Sequence, residues 1–200
     1  MIELITGPMF SGKSTLLFQK MERYVYAKKS VMLVRPVRDS RTFFSHSPLD
    51  SELQKLSEAG KIKTMTCSSF TSFSPFDIYD AVFVDEYFMI KGCNILAEES
   101  NSEKDLYFAG LLATSECALF EEAVKLLPYC DSIIKLNGVC TQCGNQFGNY
   151  SYYKQGKKTS DIVVGDSEYT CLCRDCYLKN QKEKESQLTL QIPNDNGNID

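Results

Sequence analysis

The sequence predicts an α/β fold in which a mostly parallel sheet, flanked by helices, is followed by a small cysteine-containing domain. Three observations support this prediction. Short apolar runs alternate with amphipathic stretches over roughly the first two thirds of the chain, which is typical of a buried parallel sheet covered by helices. A glycine-containing phosphate-binding motif directly follows the first apolar run. Two Cys-x-x-Cys pairs lie near the C-terminus.

The predicted strands are short and rich in Val, Ile, Leu or Phe, as strands buried on both faces are. Residues 39–58 are polar and show no clear period, so we expect a loop there, or a loop that carries a short helix. Pro128 ends the last predicted helix. The predicted strands cover residues 2–5, 31–34, 62–66, 81–84, 106–109 and 133–136, and the predicted helices cover residues 13–28, 95–103 and 116–127.

A change in composition near Leu136 predicts a domain boundary. Beyond it Cys, Gly, Tyr and Asn replace the long apolar runs. After residue 178 the chain reads KNQKEKESQ and ends in NDNGNID, a charged and polar composition typical of disordered tails. We therefore expect an α/β domain over residues 1–136, a cysteine domain over residues 137–178 and a disordered tail over residues 179–200.

Composition and charge exclude several classes of protein. The net charge of −4 argues against a domain that binds nucleic acid by charge alone. No apolar run approaches the roughly 18 residues that a membrane span needs, and no basic segment of a signal peptide precedes the first strand. We therefore expect a cytoplasmic protein with neither a membrane nor a nucleic acid as partner. In that compartment its nine cysteines are expected as thiols or metal ligands.

The phosphate-binding motif reads GPMFSGKST and fits the pattern G-x-x-x-x-G-K-[ST]. Its glycines permit backbone angles and close approaches that a Cβ would block, so that loop amides can point at phosphate oxygens. The following helix adds the positive end of its dipole. In this pattern the lysine reaches the β- and γ-phosphates and the next hydroxyl ligates Mg²⁺. The predicted ATP-binding residues are Gly7, Pro8, Met9, Phe10, Ser11, Gly12, Lys13, Ser14 and Thr15.

Two adjacent carboxylates end the apolar strand that reads AVFV. In phosphate-loop proteins an aspartate at such a strand end orders Mg²⁺ or its water ligands, which predicts this role for Asp85. A second carboxylate beside it is suited to accept a proton from an attacking hydroxyl or water, which makes Glu86 the candidate base.

Four cysteines in two knuckles predict a structural zinc site. Cys140 and Cys143 form the first knuckle, and Cys173 and Cys176 form the second. Four thiolates satisfy the tetrahedral coordination of zinc and leave no open position for catalysis. Cys171 is an alternative ligand to Cys173, and the sequence leaves this choice open.

Four segments, in order, resemble the type II thymidine kinases of cells and viruses: GPMFSGKST, VFVDE, KLNGVCTQC and EYTCLCRDCY. The resemblance covers about residues 1–178. It implies a RecA-like domain, a zinc domain whose lasso loop closes over the nucleoside, and Mg²⁺-dependent transfer of the ATP γ-phosphate to the 5′-hydroxyl of thymidine. It also implies a homotetramer.

The same resemblance implies roles for matching residues. Glu86 matches the base, Lys13 and Ser14 match the phosphate and magnesium residues, and Asp39 and Arg41 match a pair that assists metal and phosphate binding. The implied nucleoside-binding residues are Met9, Phe120, Ser151, Ile162, Val164, Gly165 and Tyr169.

The chain departs from the family pattern in the nucleoside region. Where the family has an LDGTFQRKPF-like loop, residues 111–120 read LLATSECALF. Tyr87 and Val164 replace smaller residues. Two alternatives therefore stay open at this point: a phosphate-loop ATPase whose zinc ribbon binds nucleic acid, and a nucleotide-binding relative whose nucleoside preference is altered or that transfers no phosphate.

Overall fold

A computed structural model describes residues 1–38, 50–154 and 168–189. Within these residues six strands form one sheet in the order β3-β2-β4-β5-β1-β6, and every neighbouring pair is parallel. The predicted mostly parallel sheet is thus confirmed. The strands are β1 (Ile2–Thr6), β2 (Val31–Pro36), β3 (Ile62–Cys67), β4 (Ala81–Asp85), β5 (Asp105–Gly110) and β6 (Ser132–Lys135).

Helices cover both faces of this sheet. Helices α1 (Lys13–Tyr26) and α2 (Asp50–Glu58) pack on one face, and α3 (Cys93–Glu99) and α4 (Glu121–Leu126) pack on the other. The four central strands are almost wholly buried, which explains their unbroken apolar sequences. The edge strands β3 and β6 expose every second residue or more.

The β5–α4 loop, residues 111–120, differs from the sequence prediction, which began a helix at residue 116. A bridge joins Ala113 to Leu119, so the chain folds back as a small hairpin. The Thr114 hydroxyl accepts hydrogen bonds from the backbone N–H groups of Glu116 and Ala118. Such local side-chain bonds compete with the helical ladder, and α4 therefore begins only at Glu121.

The polar segment predicted as a loop or short helix does contain a helix, α2. The remaining residues of that segment, 39–49, lie outside the described residues. The helix predicted over residues 95–103 is shorter and earlier, since α3 begins after Gly92, whose φ is 77°.

A second, two-stranded antiparallel sheet follows the main domain. It pairs β7 (Tyr150–Tyr153) with β8 (Tyr169–Leu172), and helix α5 (Arg174–Thr189) comes next. This helix extends into the segment that the sequence predicted as a disordered tail, so that prediction is corrected as far as Thr189. The Lys, Gln and Glu of this segment are good helix formers. Lys184 also donates to the Tyr153 carbonyl at 2.9 Å and lies 4.3 Å from the centre of the Tyr152 ring.

In the described residues, no helix has both the length and the apolarity that a membrane crossing requires.

Two isoleucines test the placement of the core. Ile90 is fully buried, whereas Ile78 is 77% exposed. We expect Ile90→Ala to lower the free energy of unfolding by about 2–5 kcal/mol, because a buried side chain leaves a cavity. Ile78→Ala is the matched control and should change it by less than about 0.5 kcal/mol. Urea denaturation measures both, and equal effects would contradict the assigned core.

Candidate active site

The phosphate-binding loop connects β1 to α1 and depends on two glycines for different reasons. A Cβ on Gly7 would lie 2.5 Å from the Leu136 carbonyl oxygen and 2.7 Å from the Ser11 hydroxyl oxygen, so a side chain does not fit. Gly12 has open space around it but a φ of 82°, which L side chains rarely adopt. Phe10 also has a positive φ, 64°, and the residue is 56% exposed.

The loop already orders groups that suit a phosphate. The Lys13 side chain is buried, and its ammonium donates to the Pro8 carbonyl at 2.7 Å. Among the described residues the Ser11 hydroxyl is buried without a hydrogen-bond partner. A buried hydroxyl in this state is uncommon, and a phosphate oxygen or a water molecule would satisfy it.

The structure brings together two residues that the sequence predicted from separate motifs. The Ser14 hydroxyl donates to Asp85, at 2.9 Å from one carboxylate oxygen and 3.2 Å from the other. Asp85 ends β4 and is only 1% exposed. A serine hydroxyl and a buried carboxylate are oxygen donors that fit Mg²⁺, which binds through one or two carboxylates beside substrate phosphates.

Glu86 follows Asp85 in a left-handed backbone conformation, with φ 52° and ψ 44°. For a non-glycine residue such a conformation costs about 1–3 kcal/mol, and strained residues of this kind cluster at functional sites. The Glu86 carbonyl accepts a hydrogen bond from Met89, which closes a tight turn directly after the strand. The turn keeps the half-buried Glu86 at the carboxyl edge of the sheet, where the phosphate-binding loop also lies.

Tyr87, one of the departures from the family pattern, is accommodated in the core. Its ring is fully buried, and a Cβ on Gly110 would lie 2.8 Å from it. The neighbouring Phe88 packs against Phe120, with 4.6 Å between the ring centres. Phe120, predicted to bind the nucleoside, thus contacts Phe88, which lies two residues after Glu86 in the sequence.

Three other predicted nucleoside residues lie in the phosphate-binding loop or in the two-stranded sheet. The Met9 backbone N–H donates to the Ser151 hydroxyl at 3.0 Å, which links the phosphate-binding loop to β7. Tyr169 is buried in β8 and packs against Tyr153, with 5.3 Å between the ring centres. The predicted site residues Asp39, Arg41, Ile162, Val164 and Gly165 lie outside the described residues.

The four predicted zinc ligands form one cluster. The Sγ atoms of Cys140, Cys143, Cys173 and Cys176 all lie within 4.8 Å of one another. The Cys143 and Cys173 sulfurs are 3.7 Å apart, near the roughly 3.8 Å edge of a tetrahedron with 2.3 Å Zn–S bonds. The donor set and its spacing therefore fit a zinc ion.

Cys171 is not part of this cluster, which favours Cys173 over Cys171 as the predicted ligand. Its buried sulfur packs between Gly138 and Gly148, where an added Cβ would lie 2.7 Å and 2.5 Å from it. Burial raises the pKa of the Cys171 thiol. Burial would also raise the pKa of Cys140, but hydrogen bonds from the backbone of Cys173, Cys143 and Gln142 outweigh it and lower that pKa to about 6.

Sequence reasoning missed Tyr177, which joins the cysteine domain to the β5–α4 loop. Its hydroxyl donates to the Ser115 carbonyl at 2.8 Å and accepts from the Gln181 side-chain amide at 2.8 Å. The only sequence signal is a tyrosine directly after the last knuckle cysteine.

A surface cavity of about 400 Å³ lies elsewhere, between α3 and α4. Phe70, Lys91, Glu122 and Lys125 are among its lining residues, and no residue of the phosphate-binding loop or the acidic pair lines it. The candidate active site is therefore assigned from its converging charged groups and not from cavity size.

Comparison with known proteins points to one family. The family model described as thymidine kinase matches residues 1–177. The thymidine kinase of Choristoneura fumiferana entomopoxvirus is 31% identical over 188 residues, which are 90% of this chain and 97% of that protein. The thymidine kinase of vaccinia virus (strain Western Reserve) is 31% identical over 179 residues, covering 88% and 96%. The protein named "Thymidine kinase, cytosolic" from Cricetulus griseus is 27% identical over 180 residues, covering 89% of this chain and 73% of that protein.

Metal analysis of matched cysteine variants tests the thiol cluster. We expect about one zinc per chain in the purified protein, because four thiols at this spacing complete a tetrahedral site. Cys173→Ser should lose most of this zinc, whereas Cys171→Ser should keep it. Zinc retained in Cys173→Ser and lost in Cys171→Ser would reverse the ligand assignment.

Proposed function

Because this chain belongs to the thymidine kinase family, we propose that it transfers the γ-phosphoryl group of ATP to the 5′-hydroxyl of thymidine, giving dTMP and ADP. One observation carries the proposal. The phosphate-binding loop and the acidic strand end meet at one edge of the sheet, through the hydrogen bond between Ser14 and Asp85. A triphosphate and an alcohol acceptor can therefore be held side by side at that edge.

The residues of the loop bind and orient the triphosphate. Backbone N–H groups between Gly7 and Thr15, together with the N-terminus of α1, stabilise the negative oxygens of the phosphates. Lys13 exchanges the Pro8 carbonyl for the β- and γ-phosphates. Ser14 and Asp85 would hold Mg²⁺, which would supply positive charge to stabilise the charge on the phosphate oxygens.

Glu86 orients the acceptor and takes its proton. Its carboxylate accepts the hydrogen bond of the thymidine 5′-hydroxyl and places that oxygen in line with the γ-phosphorus. The transition state of phosphoryl transfer is loose, so positioning and stabilisation of charge contribute more than the strength of the base. By resemblance, Asp39 and Arg41 assist at the metal and the phosphates.

The nucleoside is held between the carboxyl edge and the cysteine domain. The hydrogen bond between Met9 and Ser151 joins these two walls and supports this placement. Closure of the lasso over the base excludes water that would otherwise hydrolyse ATP. The proposed nucleoside-binding residues are Met9, Phe120, Ser151, Ile162, Val164, Gly165 and Tyr169.

The remaining properties follow from the relatives and from chemistry. Zinc on the four thiols is structural, because full coordination by cysteine leaves no position for substrate. A cytoplasmic location is supported by the name of the Cricetulus griseus relative. A homotetramer is proposed from the family resemblance. An ATPase that binds nucleic acid is not favoured, because the thymidine kinase family covers both the phosphate-binding loop and the cysteine knuckles.

Replacement of the proposed base should strongly lower the turnover number and leave ATP binding intact. We expect Glu86→Gln to lower kcat for thymidine by about two orders of magnitude or more, since a positioned acid–base group contributes 10²–10⁴-fold. A coupled assay of ADP formation across thymidine, deoxyuridine, deoxycytidine and deoxyguanosine measures this and ranks the acceptors.

Glu103→Gln is the matched control for this experiment. Glu103 is exposed and precedes β5, so it lies at the opposite edge of the sheet from Glu86. Its substitution should leave kcat unchanged. A Glu86→Gln variant that phosphorylates thymidine at the normal rate would remove Glu86 from the mechanism, and a wild-type protein that phosphorylates none of the four nucleosides would refute the proposed function.

A further inference from the structure

The β5–α4 loop leaves the sheet next to the place where the acceptor nucleoside is proposed to bind. Strand β5 lies between β4, which ends at the acidic pair, and β1, which leads into the phosphate-binding loop. The carboxyl ends of parallel neighbours meet at one edge, where ligands of open α/β sheets bind. The loop that follows Gly110 therefore emerges between the two halves of the candidate active site.

Packing connects this loop directly to the turn that carries Glu86. The Phe120 ring contacts Phe88, and the Phe120 backbone N–H donates to the Leu112 carbonyl at 3.1 Å. Because Phe88 lies two residues after Glu86, a shift of the loop would be transmitted to one wall of the acceptor site.

The tip of the loop is held in an unfavourable conformation. Cys117 has a φ of 63°, which non-glycine residues adopt only when surrounding contacts compensate for the strain. Ser115 is 5% exposed even though it belongs to a surface hairpin. A contact from outside the loop must therefore cover Ser115 and help to hold the exposed Cys117 in this conformation.

Tyr177 is that partner, and its hydroxyl uses its full hydrogen-bonding capacity there. A tyrosine hydroxyl has one donor and accepts hydrogen bonds. In Tyr177 it donates to the Ser115 carbonyl, accepts from Gln181, and lies 3.5 Å from the Cys117 sulfur. The ring is fixed as well, since it stacks on Tyr150 with 4.4 Å between the ring centres.

The place of Tyr177 in α5 links it to the thiol cluster. It lies in the first turns of the helix, one residue after Cys176 and four after Cys173. A zinc ion on these cysteines would hold this end of the helix in place. The β5–α4 loop is thus anchored at its base by the sheet and at its tip by the cysteine domain.

We infer that Tyr177 is a positioning residue for the nucleoside, because its hydroxyl fastens the β5–α4 loop to α5 and so fixes Phe120 beside the acceptor site. The inference rests on the proposed kinase function. It explains how a loop that lacks the acidic residue, the first aromatic residue and the basic residues of the family pattern, but keeps Phe120, still forms a defined wall.

Tyr177→Phe tests the inference, because it removes the hydroxyl and keeps the ring. Loss of a buried hydrogen bond should raise KM for thymidine by about tenfold. KM for ATP should stay within about twofold, and kcat should change less than KM for thymidine, since the loop contacts the nucleoside wall and not the phosphates. Hydrogen exchange, followed by mass spectrometry, should become faster in the peptide that covers residues 111–120 and stay unchanged in the central strands.

Two further variants separate the hydroxyl from general packing. Tyr150→Phe makes the same chemical change in the ring that stacks on Tyr177 and should alter neither KM nor exchange. Gln181→Met removes one hydrogen bond of the Tyr177 hydroxyl but keeps the bond to Ser115, and should give a smaller effect of the same kind. Zinc content equal to wild type in all three variants shows that the cysteine domain is intact.

The possible outcomes separate the proposed role of Tyr177 from the proposed kinase function. Unchanged KM for thymidine together with unchanged exchange in residues 111–120 overturns the role of Tyr177. A parallel change in kcat, in both KM values and in exchange across the central strands shows a general loss of stability and overturns it too. A wild-type protein without thymidine kinase activity refutes the proposed function and the nucleoside role, while exchange still decides whether Tyr177 holds the loop.

Discussion

The hydrogen bond between Ser14 and Asp85 is the interaction on which the candidate site depends. A carboxylate that is only 1% exposed must be paired, because an unpaired buried charge costs several kcal/mol. The Ser14 hydroxyl donates to this carboxylate, which contributes to that pairing and joins the start of α1 to the end of β4. The strand order places the other parts of the site, because β4, β5 and β1 are neighbours in the sheet. Their carboxyl ends bring the acidic pair, the β5–α4 loop and the phosphate-binding loop to one edge.

Two contacts then set the cysteine domain against this edge. One runs from the Met9 backbone to Ser151, and the other from Tyr177 to the Ser115 carbonyl. Both use main-chain groups of the larger domain, and Cys117 adds one loop side chain at 3.5 Å from the Tyr177 hydroxyl, so the contacts depend mainly on the path of the loops. This arrangement allows the sequence of the β5–α4 loop to change while its position is retained.

Local patterns in the sequence predicted the sheet, the phosphate-binding loop, the acidic pair and the four thiols, because each is encoded by residues close together in the chain. The helix predicted from residue 116 was wrong at its start, since Thr114 captures the amides that a helix would need. The choice between Cys171 and Cys173 depended on packing against Gly138 and Gly148, which no spacing rule contains. The contact of Tyr177 could not be predicted from local patterns either, because its partner Ser115 is 62 residues away in sequence.

The resting position of Lys13 has a thermodynamic consequence. Its ammonium already donates to the Pro8 carbonyl, so a triphosphate that replaces this acceptor gains only the difference between two attachments and not the full strength of the new one. The competing acceptor belongs to the main chain, and no side-chain substitution at position 8 can abolish it. Evolution can therefore adjust this competition only by redirecting the loop or by replacing the lysine itself.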